Sequence, residues 1–179
     1  MRTEIRLGSV GNGVGGPEAL MLDIIYMYLL HEFNQDVYSH IVINQIGSEL
    51  DEFVIKEPGN RIHVNIRYPF YEGFEAKSSA EKNLIGLDII HNALLRIAEY
   101  DGRLDVKKIE SIREKILKND FPFEFVYKIH VNRKNPHFLG KVVVRPLIDR
   151  FVYSVLIEED GSEKCRQIIL NGRAGYYYA

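Results

Sequence analysis

Apolar and polar residues alternate most regularly between residues 61 and 68. The even positions are apolar or aromatic, and the odd positions are polar, namely Arg61, His63, Asn65 and Arg67. Successive side chains of a β-strand point to opposite faces of a sheet. The segment therefore predicts a strand that buries one face and presents a polar row on the other.

Three other segments have helical patterns. Residues 17–33 are apolar around most of the helix circumference, which predicts a central helix. Ser78 and Glu81 have the spacing of a capping box and predict a helix over 79–100. Asp105 predicts the cap of a third helix, which has a narrow apolar seam and lies on the surface. The second helix carries one apolar stripe, formed by Leu84, Leu87, Ile90, Leu94 and Ile97.

The last third of the chain alternates like a series of strands. Turn sequences at Asp160-Gly161 and Asn171-Gly172 predict hairpins, the second of which would return the chain as a short final strand. Consecutive strands without intervening helices do not form a parallel sheet, so we predict an antiparallel C-terminal meander. We expect about three helices packed on this sheet, the second through Leu87, Ile90 and Leu94, in an α+β fold.

We assign residues 1–179 to a single domain, because the chain has no linker-like segment or internal repeat. Its first part, residues 1–77, comprises an N-terminal strand, a glycine-rich loop, the buried helix and a β-hairpin region. The helical pair occupies residues 78–119, and the β-meander occupies residues 121–178.

Composition narrows the functional classes. The chain has 23 basic and 25 acidic residues, and this balance argues against nucleic-acid binding, which usually shows a basic excess. The longest apolar run, residues 19–30, is shorter than the roughly 20 residues of a membrane-spanning helix. A single cysteine, Cys165, excludes an internal disulfide framework. These features predict a cytoplasmic protein that does not associate with a membrane.

The loop from Gly8 to Gly16 matches the dinucleotide-binding pattern G-x-G-x-x-G through Gly11, Gly13 and Gly16. It lies between a predicted strand and a predicted helix, where glycines would let the backbone approach a phosphate. The preceding strand is charged rather than apolar, and no acidic residue follows the next strand to hold a ribose. We therefore favour a turn-like connector and keep phosphate binding as the alternative.

A second candidate for phosphate or carboxylate binding is a basic hairpin. It contains His130, Arg133, Lys134 and His137, although an ordinary exposed turn has the same composition. The histidines lack the i, i+4 spacing of a zinc motif, and no nucleophile elbow is present. We therefore expect no metal, no cofactor and no catalytic residues among these motifs.

Two features predict protein binding. The row formed by Arg61, His63, Asn65 and Arg67 suits contacts with partner carboxylates, because guanidinium groups bind them bidentately. The tyrosines at the C-terminus add aromatic side chains of the kind enriched at interfaces, namely Tyr176, Tyr177 and Tyr178. The bland alternatives are a solvated sheet face and a final strand that packs on its own sheet.

The leading hypothesis is thus a non-enzymatic intracellular module, such as an adaptor, an inhibitor or a toxin-neutralising immunity-type protein, that binds an acidic protein. The alternative is a small enzyme or ligand-binding protein whose Gly8–Gly16 loop holds a phosphate-bearing molecule. A homo-oligomeric subunit is a third hypothesis.

Overall fold

The computed structural model describes residues 3–9, 17–47, 49–67, 76–119, 121, 123–147 and 150–173. Within these residues, three helices and eight strands in two sheets confirm the predicted α+β class. The chain divides into two compact units, Met1–Phe121 and Pro122–Ala179, which are described separately. The assignment of a single domain stays a prediction.

The first unit contains four strands and all three helices. In chain order its elements are β1 (Glu4–Ser9), α1 (Pro17–Glu32), β2 (His40–Ile46), β3 (Phe53–Glu57), β4 (Arg61–Arg67), α2 (Ser79–Asp101) and α3 (Val106–Lys118). The sheet, called here the N-terminal sheet, has the strand order β1-β2-β4-β3. β1 and β4 both pair with β2 in parallel, whereas β3 pairs with β4 in antiparallel orientation.

The hairpin between β3 and β4 agrees with the predicted β-hairpin region. Gly59 and Asn60 adopt φ values of 77° and 60° at the turn, and glycine and asparagine are the residues that tolerate this left-handed region best. The parallel pairs were not predicted, because local alternation identifies a strand without identifying its neighbours.

The helix boundaries follow the predicted caps. The Ser78 backbone N–H donates to Glu81 Oε2 at 2.9 Å, and the Glu81 N–H donates back to Ser78 Oγ at 3.3 Å. Gly102 ends α2 with φ 68°, which is favourable for glycine. Asp105 accepts hydrogen bonds from two N–H groups in the first turn of α3. The predicted caps at Ser78 and Asp105 are therefore confirmed.

α1 and α2 pack on the N-terminal sheet. α1 packs on β1, and α2, which we expected on the C-terminal meander, packs on β4, β2 and β3. Leu87, Ile90 and Leu94 are buried as predicted, but Leu84 is 43% exposed. The helices pack there because the N-terminal sheet has an apolar face, which a helical layer shields from water. Its buried residues are Ile5, Leu7, Ile41, Ile43, Ile62 and Val64.

The second unit is the predicted antiparallel meander. Its strands are β5 (Phe125–Val131), β6 (Phe138–Pro146), β7 (Arg150–Glu159) and β8 (Ser162–Arg173), paired in that order. The turn at Asp160-Gly161 is confirmed, with φ values of 49° and 79°.

The predicted hairpin at Asn171-Gly172 is wrong. Both residues continue β8, where Asn171 pairs with Val152 and Gly172 pairs with Phe151. β7 is long enough to offer ladder partners to these residues, so the backbone gains hydrogen bonds by staying extended. The tyrosines of the predicted last strand, residues 176–178, lie outside the described residues.

Candidate functional site

The N-terminal sheet has one face beneath α1 and α2, where the side chains are buried. At alternate positions on the opposite side the described side chains are half-buried or exposed, except Ile46 at the end of β2. We call this second side the outer face. The strand registers place the predicted residues Arg61, His63 and Asn65 on it. They also add polar neighbours from β1 and β2, namely Glu4, Arg6, His40 and Asn44.

Two histidines of the outer face are paired with carboxylates. His40 Nε2 lies 2.8 Å from Glu4 Oε2, on the neighbouring strand β1. His63 Nε2 lies 3.2 Å from Glu57 Oε2, on the other neighbour β3. The parallel register brings the first pair together, and the hairpin brings the second. Both acidic residues are therefore engaged by side chains of the same face.

The middle of the outer face carries an amide pair. Asn44 Nδ2 donates to Asn65 Oδ1 at 3.0 Å between β2 and β4. Because each amide has both a donor and an acceptor half, this bond leaves Asn44 Oδ1 and Asn65 Nδ2 without a hydrogen bond among the described residues. These two atoms are available to a partner that approaches the face.

The predicted arginines of β4 have different surroundings. Arg61 is exposed, and no ion pair joins it to another residue in the part of the chain that the structure describes. Arg67 is also exposed, but its guanidinium donates to the Leu50 carbonyl at 2.8 Å and its backbone N–H donates to Glu52 at 2.7 Å. That N–H lowers the pKa of Glu52. Arg67 thus holds the segment before β3 in place, whereas Arg61 has no ion-pair partner among the described residues.

The polar side chains that β1 and β2 add to this face were not predicted. Glu4 and Arg6 share one side of β1, and Glu4 stands opposite His40. The signal was available, because charged residues alternate with apolar ones near the N-terminus. The charged positions of this segment argue against a dinucleotide-binding fold, and they also indicate a strand with one solvent-facing side.

The other predicted sites fall outside the described residues or in the second unit. The glycines Gly11, Gly13 and Gly16 lie outside the described residues, as do Tyr176, Tyr177 and Tyr178. The basic hairpin joins β5 to β6 in the second unit, and its candidate residues are exposed, namely His130, Arg133, Lys134 and His137.

Local hydrogen bonds explain the shape of the basic hairpin. Asn132 Oδ1 accepts from the Lys134 and Asn135 N–H groups at 3.0 and 3.2 Å, and His137 Nδ1 lies 2.6 Å from Asp160 Oδ1. The backbone N–H groups of Lys134 and Asn135 therefore already donate to Asn132 and are not free to bind an anion. The phosphate hypothesis for this hairpin stays a prediction.

A second polar cluster joins the three helices of the first unit. Arg113 donates to Asp88 at 2.9 Å, and His91 Nε2 lies 3.5 Å from Glu110. His91 Nδ1 and Tyr26 Oη are buried without a hydrogen-bond partner. Burial lowers the pKa of His91 and raises the pKa of Tyr26. The ion pairs of the cluster join α2 to α3.

We expect Tyr26→Phe to raise the free energy of unfolding by about 1 kcal/mol, because it removes a buried hydroxyl that makes no hydrogen bond. Denaturant unfolding at pH 7 measures the difference. A loss of stability of similar size would show that the hydroxyl is hydrogen-bonded in solution.

Neither a metal site nor a spanning helix is evident where the structure can be described. No group of three or more histidine, cysteine or acidic side chains there is arranged to hold a metal ion. No described helix combines the length and apolar character needed to cross a membrane. Comparisons with protein-family models, curated proteins and solved structures find no match.

Proposed function

We propose that this chain is a non-enzymatic protein-binding module and that the outer face of the N-terminal sheet recognises an acidic protein. An adaptor, an inhibitor and a toxin-neutralising protein all fit this description. The proposal depends on the geometry of the sheet rather than on any single residue.

The observation that supports it most is that no described element of the first unit covers the second face of its largely parallel sheet. Parallel strands occur almost only in sheets whose two faces are both covered. In the first unit α1 and α2 cover one face, and the polar side chains described on the outer face are half-buried or exposed. A partner that covers the outer face would complete the layered arrangement that such sheets usually have.

The character of the outer face suits a protein better than a small molecule. Its polar groups extend across neighbouring strands, and the opposite side chains fix each strand in the core. Rigid presentation lowers the ordering cost of association. Arg6 Nη2 lies 3.4 Å from Glu4 Oε2, and Glu4 and Glu57 also contact histidines of this face. Arg61 is an exposed guanidinium for which the described residues supply no ion pair, and it favours a partner carboxylate.

The test is affinity capture from extracts at low salt, followed by titration of the captured protein. We expect Arg6→Ala/Arg61→Ala to weaken binding by tenfold or more, and we expect the association rate of the unmodified chain to fall as salt rises. Exposed arginines contribute little to stability, so the double variant should fold normally.

A matched control removes two positive charges elsewhere. Lys107 and Lys118 are exposed on α3, on the helical side of the unit. Lys107→Ala/Lys118→Ala should bind the captured protein as tightly as the unmodified chain. Equal affinity of the two double variants would contradict a binding role for the outer face.

A second candidate function is binding of a phosphate-bearing ligand by the Gly8–Gly16 loop. The observation that favours it is the β1-α1-β2 arrangement, because β1 and β2 are parallel and the loop joins β1 to α1. Dinucleotide-binding loops have the same placement. Calorimetric titration with nicotinamide and flavin dinucleotides tests it. Binding that is lost in Gly13→Val would support this function, and no heat of binding would count against it.

A further inference from the structure

One edge of the N-terminal sheet has no partner among the described strands. β3 is the last strand in the order β1-β2-β4-β3, so only one side of its backbone pairs with a described strand. An unpaired strand edge can accept another extended segment through main-chain hydrogen bonds. β3 contains no proline, and its pairing with β4 runs without a register shift from Phe53 to Glu57. Neither a proline nor a bulge therefore blocks this edge, although the strand is short and carries the charged residues Lys56 and Glu57.

Apolar side chains are exposed along this edge. Ile55 is 50% exposed on β3, and Tyr100 is 52% exposed near the end of α2. Leu50 and Phe53 are exposed at the start of β3. Phe53 and Ile55 pair with Asn65 and His63 and lie on the outer-face side of β3, whereas Tyr100 lies with α2 on the helical side. A strand paired with β3 would present alternate side chains to each of these sides.

A groove lies beside the same edge, between β3, β4 and α2. Its volume is about 280 Å³, and its lining includes Val54, Val64 and Tyr100 together with the charged residues Glu52, Arg96 and Glu99. The groove is therefore apolar at its base and charged along its rim.

The rim has a negative excess. Arg96 lies 2.9 Å from Glu52 and 3.7 Å from Glu99, and the Arg67 backbone N–H donates to Glu52, so two arginines lie near these two carboxylates. Glu49 and Asp51, which precede β3, are exposed and add negative charge at the same end. Basic side chains on an incoming segment would complement this charge.

We propose that the open edge of β3 and the adjacent groove form a second docking surface, which binds an extended peptide segment in which apolar and basic residues alternate. The backbone of the segment pairs with β3. Alternate apolar side chains enter the groove beside Val54 and Tyr100, and its basic side chains lie near Glu99 and the acidic residues before β3. The groove lies on the helical side of the sheet, and the segment proposed for it is basic, opposite in charge to the acidic partner proposed for the outer face.

Selection from a random twelve-residue peptide library on the intact protein tests the proposal. We expect enriched peptides to alternate apolar residues with lysine or arginine. For the tightest peptide, N-methylation of alternate backbone amides should weaken binding at least tenfold, because it removes main-chain donors. Glu99→Lys and Tyr100→Ala should each weaken binding at least fivefold, and both residues are exposed enough for the variants to fold.

The matched control is Arg6→Ala, which changes the outer face on the opposite edge strand, β1, and should leave peptide affinity unchanged. Loss of peptide affinity in Arg6→Ala but not in Tyr100→Ala would overturn the proposal in favour of the outer face. An absence of enriched peptides, or affinity that does not respond to N-methylation, would also overturn it. None of these results would affect the test of the outer face, which uses a different partner and different variants.

Discussion

Asp23→Asn is expected to remove a large pH dependence from the stability of the protein. Asp23 lies on α1, where one carboxylate oxygen accepts the Leu7 N–H at 3.2 Å and the other is buried without a partner. Burial raises the pKa of this carboxyl from 3.8 to about 7. The folded state therefore holds a proton that the unfolded state releases at lower pH.

The direction of the pH dependence follows from the difference between the folded and unfolded pKa values of Asp23. Because the folded pKa is the higher one, the stabilising contribution is fully present below pH 3.8 and is lost as the pH rises through about 7. Ionisation of the buried carboxyl should lower the free energy of unfolding by up to about 4 kcal/mol between these limits. Asparagine cannot ionise, so the stability of Asp23→Asn relative to the unmodified chain should rise steadily from pH 4 to pH 8.

Denaturant unfolding of both proteins across this pH range measures the effect. The informative quantity is the slope of the stability difference against pH, because burying the asparagine amide shifts stability by the same amount at every pH. Asp51→Asn, at an exposed position, is the control and should show no such slope. A stability difference between Asp23→Asn and the unmodified chain that does not change with pH would mean that Asp23 titrates normally.

Leu94→Ala should lower the free energy of unfolding by about 2–5 kcal/mol, the usual cost of removing a buried leucine side chain. Leu94 is fully buried on α2, which packs on the N-terminal sheet. Thermal or denaturant unfolding provides the measurement.

Leu84→Ala makes the same chemical change on the same helix. Leu84 is largely exposed, and surface substitutions usually change stability by about 0.5 kcal/mol or less. Equal losses for the two variants would show that α2 does not present the face described above to the sheet.

The elements that could be predicted from the sequence are those governed by local interactions. The caps at Ser78 and Asp105 place their hydrogen-bond partners within three residues, and the alternation around His63 reports directly which side of β4 is buried. Asp160-Gly161 likewise makes its turn from its own backbone preferences. No distant residue was needed for these predictions.

The elements that were missed depend on which strands become neighbours. Glu4 and His40 are far apart in the chain, and only the parallel pairing of β1 with β2 brings their side chains together. The packing of α2 on the N-terminal sheet was not predicted for the same reason. An apolar stripe shows that a helix packs on a neighbour, but it does not identify that neighbour. At Asn171-Gly172, the extended pairing with β7 overrode the local preference for a turn.

The most direct test of the outer face is hydroxyl-radical oxidation of the protein, alone and bound to the captured acidic partner. His40 and His63 lie on the outer face, Tyr100 lines the groove beside β3, and Tyr127 is exposed on β5 in the second unit. The account predicts that oxidation of His40 and His63 falls severalfold in the complex, while Tyr100 and Tyr127 react as in the free protein. Unchanged oxidation of both histidines, with protection at Tyr100 or Tyr127 instead, would contradict it.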